Sequence, residues 1–218
     1  WMKQINQETE NLNSRLGVHT PGGINISWED LKNPRKPKQI KQLMNSELIF
    51  PTLNHILRSD LLLNIVESLI GPDISLYHSK LLLKAAYHGT AIPWHQDYAY
   101  WKNEDNKPLM VNYQLAIDRA KKDNGCIQFI PGSHRWGLQK HDRAKQTFGV
   151  FLPGHYYERQ DAIPVEMQPG DGVFFNALIV HGSAPNTSSR SRRMNTFAYD
   201  ATGNSQCREV LRGKNNFS

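Results

Sequence analysis

The first third of the chain places apolar residues at helical spacing. This pattern predicts three helical segments, at residues 5–16, 37–48 and 53–70. The third is the clearest, because Pro51 lies at a plausible first turn and Gly71 with the following proline would end the helix. We expect this amphipathic segment to pack against a sheet.

The pattern changes at residue 74, where short runs of β-branched and aromatic residues alternate with Gly, Pro, Asn and Asp. Strands are predicted at residues 75–85, 92–98, 109–117, 126–130, 162–167, 172–175, 179–181 and 194–201. Many short strands with long connections indicate a sandwich or jelly roll rather than a βαβ fold. The predicted class is mainly β with flanking helices.

The domain organisation follows from these elements and from the length of 218 residues, which suits one domain. We expect a single domain over 1–218, with a mainly helical part at 1–72, a jelly-roll core at 73–203 and a C-terminal tail at 204–218. The chain begins at Trp1 without an initiator methionine, so we expect further residues before it.

Composition places the chain among ordinary globular proteins, at 39% hydrophobic and 21% charged residues. No run of 18 apolar residues is present, so no membrane span is expected. Two cysteines, Cys126 and Cys207, do not make a disulfide framework, which favours a reducing, cytoplasmic compartment.

Much of the net charge of +6 lies in two basic runs, residues 32–41 and 190–214. Such runs are most often solvated loops. The alternative is a rim that attracts an anionic substrate or cosubstrate. Few aromatic residues for base stacking are interleaved with them, so no nucleic-acid partner is expected. The sequence leaves the oligomeric state open.

The candidate chemistry begins with His95 and Asp97, which are joined by distant His181. Two imidazoles and one carboxylate are the ligand set of a mononuclear non-haem iron(II) centre, which keeps three positions open. On an extended strand, residues two apart point the same way, roughly 6.6 Å apart. His95 and Asp97 could therefore converge on one ion. The alternatives are a solvated surface pair and, for His181, a hydrogen-bonded core histidine.

Arginines follow His181 on the next predicted strand. A planar guanidinium there could bind the distal carboxylate of a dicarboxylate cosubstrate in bidentate fashion, and Ser183 could add a hydroxyl donor. Strand alternation places Arg192 on one face and Arg193 on the other, so the choice between them is testable. Arg190 is a further candidate.

The strand at 75–85 also alternates, with His78, Lys80, Leu82 and Lys84 on one face. This face could be a solvent-exposed edge. It could instead look into the mouth of the jelly roll, where buried ammonium groups would need an anionic partner.

As an ordered set, several motifs resemble the phytanoyl-CoA dioxygenase family, over about residues 75–200. They are His95-x-Asp97, Asn124-Gly125-Cys126 running to Pro131-Gly132-Ser133-His134, Pro169-Gly170-Asp171, and His181-Gly182-Ser183 with Arg192. The segment Trp94-His95-Gln96-Asp97 with Trp101 is also similar to the ectoine hydroxylase branch. The resemblance implies a double-stranded β-helix, which is a cupin-like jelly roll, and an iron(II)- and 2-oxoglutarate-dependent oxygenase.

The resemblance also implies roles for individual residues. His95, Asp97 and His181 would hold iron(II), and Arg192 with Ser183 would bind 2-oxoglutarate. Two further residues, Tyr113 and Lys84, would lie beside this cosubstrate.

Substrate contacts are expected from Lys80 and from the aromatic residues that follow the metal pair. The aromatic candidates are Tyr98, Trp101 and Trp136. Most aromatic residues are simply core, but those in the irregular stretch 136–157 could form a lid. They are Trp136, Phe148, Phe151, Tyr156 and Tyr157.

The implied reaction uses O2 and 2-oxoglutarate to hydroxylate an unactivated carbon of a small molecule, with release of succinate and CO2. Basic residues at the site mouth would suit an anionic substrate. The carboxylate of Asp97 favours hydroxylation over halogenation, because related halogenases carry Gly or Ala there. Desaturation and ring closure stay open. The alternative functions are a cupin-like metal enzyme that does not use 2-oxoglutarate and a non-catalytic jelly-roll binding domain.

Overall fold

The fold is taken from a computed structural model of the chain. The residues that it describes are 1–12, 16, 24–29, 39–102, 106–143, 149–154, 161–204 and 208–213. Its helices are α1 (Met2–Glu8), α2 (Pro51–Leu57), α3 (Asp60–Ile70) and α4 (Tyr98–Trp101), with 3-10 turns at Ser46–Leu48 and Ser133–Trp136. No helix in the described part of the chain is long and apolar enough to cross a membrane.

Thirteen strands form the rest of the described fold. They are β1 (Asn25–Trp28), β2 (Ile40–Met44), β3 (Ile74–Lys84), β4 (Ile92–His95), β5 (Met110–Ala116), β6 (Ile127–Phe129), β7 (Asp142–Arg143), β8 (Val150–Phe151), β9 (Ile163–Pro164), β10 (Gly172–Asn176), β11 (His181–Ser183), β12 (Arg192–Ala201) and β13 (Glu209–Arg212).

Two antiparallel sheets build the jelly roll. The larger sheet has the order β1-β2-β3-β12-β5-β10, and β13 also pairs with β3. The smaller sheet has the order β4-β11-β6-β9, and β7 and β8 form a separate pair. In both sheets, strands that are far apart in the sequence lie next to each other, such as β3 and β12. This arrangement confirms the predicted mainly β class and the jelly-roll fold.

The larger sheet buries both of its faces. Its outer face packs against α1, α2 and α3, and this core includes Leu53, Leu57, Phe197 and Tyr199, all fully buried. Its inner face looks toward the smaller sheet and shares a second cluster with it, in which Met194 takes part. Alternate side chains of β12 therefore point either into the core under the helices or into the space between the two sheets.

The structure changes all three of the predicted helices. Residues 39–48 form β2 and a 3-10 turn instead of a helix, because β2 hydrogen-bonds to β3 through pairs such as Leu43 with Leu81. Sheet pairing here overrides local spacing. The helix predicted at 53–70 is two helices, α2 and α3, with a break at Arg58 and Ser59. The helix expected at 5–16 starts earlier and has its continuous part at Met2–Glu8.

Sequence reasoning missed β1, β2, β7, β8 and β13, which are short strands of two to five residues. The two N-terminal strands mean that the part at 1–72 is less helical than expected, since β1 and β2 extend the main sheet. The basic run at 32–41 lies mostly outside the described residues, as does Cys207.

Candidate metal centre

The pairing of β4 with β11 brings the two candidate histidines together. His95 is the last residue of β4, His181 is the first residue of β11, and the two are direct partners in the antiparallel register. Their ring centroids lie 4.2 Å apart. Residues far apart in the chain thus become neighbours through one cross-strand pair.

Asp97 completes the cluster from a turn rather than from a strand. β4 ends at His95, and Asp97 has helical backbone angles at the start of α4. The strand predicted at 92–98 is therefore too long, and the same-face argument for His95 and Asp97 was wrong. It is the turn that points the carboxylate back toward the imidazoles.

The donor atoms lie within reach of a single ion. Asp97 Oδ1 is 3.5 Å from His95 Nε2, and Asp97 Oδ2 is 3.6 Å from His181 Nε2. One ligand atom from each residue lies within 4.8 Å of the others, and all three residues are buried. A two-histidine, one-carboxylate cluster with this spacing fits a mononuclear metal with open coordination positions.

Main-chain carbonyls orient both imidazoles. His95 Nδ1 bonds to the carbonyl of Pro93 at 2.8 Å, and His181 Nδ1 bonds to that of Ile179 at 3.0 Å. Each Nδ1 can donate only when it is protonated, which leaves Nε2 free as a ligand atom. The tautomer that these contacts favour is therefore the one that a metal requires.

The local electrostatics favour the same ligand form. Burial, together with nearby His95, lowers the pKa of His181 to about 3. Burial alone would raise the pKa of Asp97, but the Lys80 ammonium and the two imidazoles hold it well below its usual value. At neutral pH the cluster therefore offers a neutral imidazole at His181 and an ionised carboxylate, which is the form that binds metal.

Two polar residues that sequence reasoning missed support the cluster. Asn112 Nδ2 donates to Asp97 Oδ2 at 2.9 Å and fixes the carboxylate. Gln96, fully buried between the two ligands of its segment, donates to the carbonyls of Leu178 and Gly137. Strand alternation could have pointed to Asn112, because it shares a face of β5 with Gln114.

A cavity of about 410 Å³ opens beside the cluster, between the two sheets. Its described lining residues are Ser27, Gln42, Met44, Tyr77, His78, Lys80, Leu82, Ile92, His95, Asp97, Tyr100, Trp101, Gln114, Gly125, Ile127, Phe175, His181, Gly182, Ser183, Arg192 and Thr196. The face of β3 that carries His78, Lys80 and Leu82 thus looks into the jelly-roll mouth and is not a solvent-exposed edge.

Arg192 lies in this lining and forms no ion pair with any described residue. The residue is 3% exposed, and its Nε has no hydrogen-bond partner among the described residues. Within the same part of the chain, the buried hydroxyl of Ser183 has no partner either. Burial lowers the pKa of Arg192 to about 10, so the guanidinium remains charged at neutral pH. A buried cation and an unsatisfied hydroxyl donor in the same cavity favour the binding of an anionic ligand there.

The alternative arginines lie elsewhere. Arg193 is on the opposite face of β12, where its Nη2 lies 2.6 Å from Asp118 Oδ1 and its Nη1 donates to Thr9. Arg190 is exposed on the loop before β12. Among the three arginines of this segment, only Arg192 is in the described cavity lining.

Lys84 is not among the described residues that line the cavity, and its expected contact with a cosubstrate remains a prediction. Its Nζ donates to the main-chain carbonyls of Thr90 and Ala184, and the residue is 2% exposed. Burial and the neighbouring Arg192 lower the pKa of Lys84 to about 6. The amine therefore joins the end of β3 to the segments that contain Thr90 and Ala184.

Tyr113 is also placed away from the cavity, contrary to expectation. Its ring packs against Phe174 at a centroid distance of 4.7 Å and stacks on Phe197, within the outer core under the helices. The reason is strand alternation, because the neighbouring residues Asn112 and Gln114 take the inner face of β5.

The four candidate substrate residues divide evenly. Lys80 and Trp101 line the cavity. Tyr98 is buried in the core and its hydroxyl donates to Asn106, while Trp136 is 39% exposed on a 3-10 turn outside the described lining. Tyr100, next to His95, lines the cavity in their place. Of the other lid candidates, Phe151 is half-buried in β8, whereas Phe148, Tyr156 and Tyr157 lie outside the described residues.

Fold and site together define a class of jelly-roll protein with a two-histidine, one-carboxylate cluster at the mouth of the barrel. The sequence matches the family model described as phytanoyl-CoA dioxygenase (PhyH) over residues 1–194. The chain therefore belongs to the phytanoyl-CoA dioxygenase family, which confirms the resemblance drawn from its motifs.

Curated relatives include an L-proline trans-4-hydroxylase from Streptomyces griseoviridis, 29% identical over 71% of this chain and 65% of the relative. The peroxisomal phytanoyl-CoA dioxygenase of Homo sapiens is 32% identical over 61% of this chain and 41% of the relative. The chain thus spans about two fifths to two thirds of the length of these relatives.

Solved structures show the same fold. EctD from S. alaskensis, crystallised with 2-oxoglutarate and 5-hydroxyectoine, superposes with a TM-score of 0.74 at 20% identity, covering 93% of this chain and 68% of that one. EctD from the same source with bound Fe gives a TM-score of 0.73 at 18% identity, covering 98% and 73% of the two chains.

Proposed function

We propose that this chain is an iron(II)- and 2-oxoglutarate-dependent dioxygenase that hydroxylates a carbon of a small, anionic molecule. The observation that carries the proposal is the pairing of two features in one cavity. These are the cluster of His95, Asp97 and His181, and the buried guanidinium of Arg192, whose Nε has no hydrogen-bond partner in the described part of the chain.

The donor set fits iron(II). Two neutral imidazoles and one carboxylate on one side of an ion leave three positions for a chelating keto acid and O2. Asp97, held by Asn112, would occupy the position that chloride takes in a halogenase, so this chain favours hydroxylation.

The cavity also fits 2-oxoglutarate. The guanidinium of Arg192 would take the distal carboxylate through two parallel hydrogen bonds, and the Ser183 hydroxyl would add a third. Gln114 and Thr196, joined by a hydrogen bond of 3.1 Å, line the same cavity from neighbouring strands. With this anion bound, the buried cation would no longer be unpaired.

The chemistry supplied by bound iron(II) and 2-oxoglutarate is oxidative decarboxylation of the keto acid by O2. It yields succinate and CO2 and transfers the second oxygen atom into a C–H bond of the substrate. The protein's contribution is to hold the carboxylate of Asp97 ionised, to keep both Nε2 atoms free and to exclude water from a buried cavity.

We place the described helices and sheets in one oxygenase domain, since both faces of the main sheet are covered by elements of this chain. A cytoplasmic, reducing compartment is part of the proposal. It is supported by Cys126, which is a buried free thiol.

The test is succinate release by the iron-loaded protein with 2-oxoglutarate and O2, across a panel of small anionic and neutral compounds. We expect at least one compound to stimulate succinate formation and to gain one oxygen atom by mass. Arg192→Ala should abolish this turnover, whereas Arg193→Ala, the control on the opposite face, should retain it. Folded, iron-loaded protein that forms no succinate, coupled or uncoupled, would contradict the proposal.

A further inference from the structure

The cavity has a second polar surface away from Arg192, at the end that we call the outer end. Arg192 pairs with Lys84 at the start of β12, whereas His78 pairs with Ala198 farther along that strand. His78 and Lys80 lie two residues apart on the inner face of β3, and both line the cavity. Side chains at this offset leave the strand in the same direction, about 6.6 Å apart at the backbone. They can therefore reach a single ligand group.

His78 is a buried residue of this end of the cavity. The residue is 9% exposed, and its Nε2 has no hydrogen-bond partner among the described residues. Its ring makes an edge contact with Trp101 at 5.2 Å and a tilted contact with Tyr77. The two aromatic neighbours fix the ring but offer Nε2 no hydrogen bond, and a buried nitrogen without a partner is costly.

The ammonium group of Lys80 can donate hydrogen bonds to a ligand as well as to Asp97. Within the described part of the chain, its only acceptor is Asp97 Oδ1, at a long 3.4 Å. An ammonium group carries three N–H donors, so the others remain available to a ligand. Asp97 is also the only carboxylate in the described lining. It belongs to the proposed metal site, so a substrate ammonium would find no separate acidic partner there.

Burial, reinforced by the Lys80 ammonium, lowers the pKa of His78 to about 3. The imidazole is therefore neutral and carries one N–H. A neutral N–H donor beside an ammonium group suits an anion with two oxygen atoms, because each oxygen can accept one charge-assisted hydrogen bond.

We infer that His78 and Lys80 together bind an anionic oxygen group of the substrate, a carboxylate or a phosphonate, and that His78 determines specificity for it. This inference rests on the proposed function, because it assigns the 2-oxoglutarate carboxylate to Arg192 and the substrate anion to the opposite end. The carbon skeleton next to the anion would lie against Trp101 and Tyr100, which line the same end of the cavity.

The size of the cavity further limits the class of substrate that it can hold. At about 410 Å³ it lies toward the lower end of the range of about 300–1,000 Å³ that ligand pockets span. It has to hold both 2-oxoglutarate and the reacting part of the substrate. We therefore expect a compact anion whose charged group lies a few bonds from the carbon that is hydroxylated.

The experiment compares anions with neutral partners of the same shape. Anaerobic protein with iron(II) and saturating 2-oxoglutarate is titrated with cyclopentanecarboxylate or cyclopentanecarboxamide, and with methylphosphonate or its dimethyl ester. Saturating 2-oxoglutarate keeps the Arg192 end filled, so a change in the visible charge-transfer band reports binding at the outer end. The two pairs distinguish a carboxylate from a phosphonate site.

We expect at least one anion to bind ten-fold or more tightly than its neutral partner. His78→Phe keeps an aromatic ring but removes both nitrogens, and it should weaken that anion about ten-fold or more. His78→Gln, which keeps an N–H donor, should restore part of the affinity. His55→Phe makes the same change at an exposed position of α2 and serves as the control.

Three results would overturn the inference. These are equal affinity for anion and neutral partner, no binding of either anion, and unchanged anion affinity in His78→Phe. The wild-type comparison needs no variant, so it decides the matter even if His78→Phe does not fold. Failure of the proposed function would look different, because the charge-transfer band would then be absent before any titrant is added.

Discussion

Replacing Arg192 with methionine should make the ligand-free protein more stable and at the same time destroy its affinity for 2-oxoglutarate. Arg192 is fully buried in the cavity lining and has an unpaired Nε. A guanidinium in this position is disfavoured in the empty cavity and stabilised by an anion. Methionine has a similar length, fills the same space and carries no charge.

The pKa of Arg192 sets the size of the first effect. Burial lowers this pKa from 12.5 to about 10, which corresponds to about 3 kcal/mol. A base whose pKa falls on folding destabilises the fold wherever it stays protonated, so the full cost applies at neutral pH. Removing the charge should therefore raise Tm, by up to about 6–12 °C at ~2–4 °C per kcal/mol for this size of chain.

The hydrogen bonds to 2-oxoglutarate set the second effect. A hydrogen bond to a charged group contributes about 1.5–3 kcal/mol, and the guanidinium would make two. Their loss should weaken 2-oxoglutarate at least a hundred-fold, since each 1.4 kcal/mol is a factor of ten.

The assay combines thermal unfolding without 2-oxoglutarate with anaerobic calorimetry of 2-oxoglutarate binding to the iron-loaded protein. Arg193→Met is the matched control, because Arg193 is paired with Asp118 at 2.6 Å on the opposite face. This variant should lose stability and keep its 2-oxoglutarate affinity. If Arg192→Met instead lowers Tm in the absence of ligand and binds 2-oxoglutarate like the wild type, the reasoning about an unpaired cation is refuted.

Three further predictions follow from single contacts. Asn112→Ala should weaken iron(II) binding about 10–100-fold in a metal titration, because Asp97 loses the amide that orients it, and unchanged affinity would exclude this role. Tyr113→Phe should change the affinity for 2-oxoglutarate, measured by calorimetry, by less than two-fold, because the ring of Tyr113 lies in the outer core. A large loss of affinity would show instead that Tyr113 contacts the cosubstrate. Gly125→Ala should lower Tm, because the residue has φ +77° and its Cβ would lie 2.4 Å from the Ala184 carbonyl, whereas an unchanged Tm would contradict that contact.

The fold could be predicted where the spacing of apolar residues fits only one kind of secondary structure. The long strands β3, β5, β10 and β12 were found with ends shifted by one or two residues, because each alternates between two well-defined faces. β2 was mistaken for a helix, since its buried residues Ile40 and Leu43 are three apart, as on a helix face. What makes it a strand is pairing with β3, which no local pattern contains.

The candidate metal cluster was proposed from residue types and order, and its geometry came from elsewhere. The meeting of His95 and His181 depends on the register between β4 and β11, which the sequence does not state. Asp97 joins them through a turn, although an extended strand had been assumed. The right residues were thus grouped for a partly wrong geometric reason.

Alternation explains both the success and the failures around the cavity. It separated Arg192 from Arg193 correctly, because β12 is regular in that segment. The same rule, applied to β5, would have placed Tyr113 with the outer core and Asn112 with the cavity. Lys84 shares the face of His78 and Lys80, but it lies at the end of β3 and is occupied by loop carbonyls.

The most direct test of the central claim is the visible spectrum of the protein as iron(II) is added anaerobically in the presence of 2-oxoglutarate. We predict a weak charge-transfer band that saturates at one iron per chain and is absent in His181→Ala. Stoichiometric iron binding by folded wild-type protein without that band would contradict the account, because the keto acid would then not share the metal held by His95, Asp97 and His181.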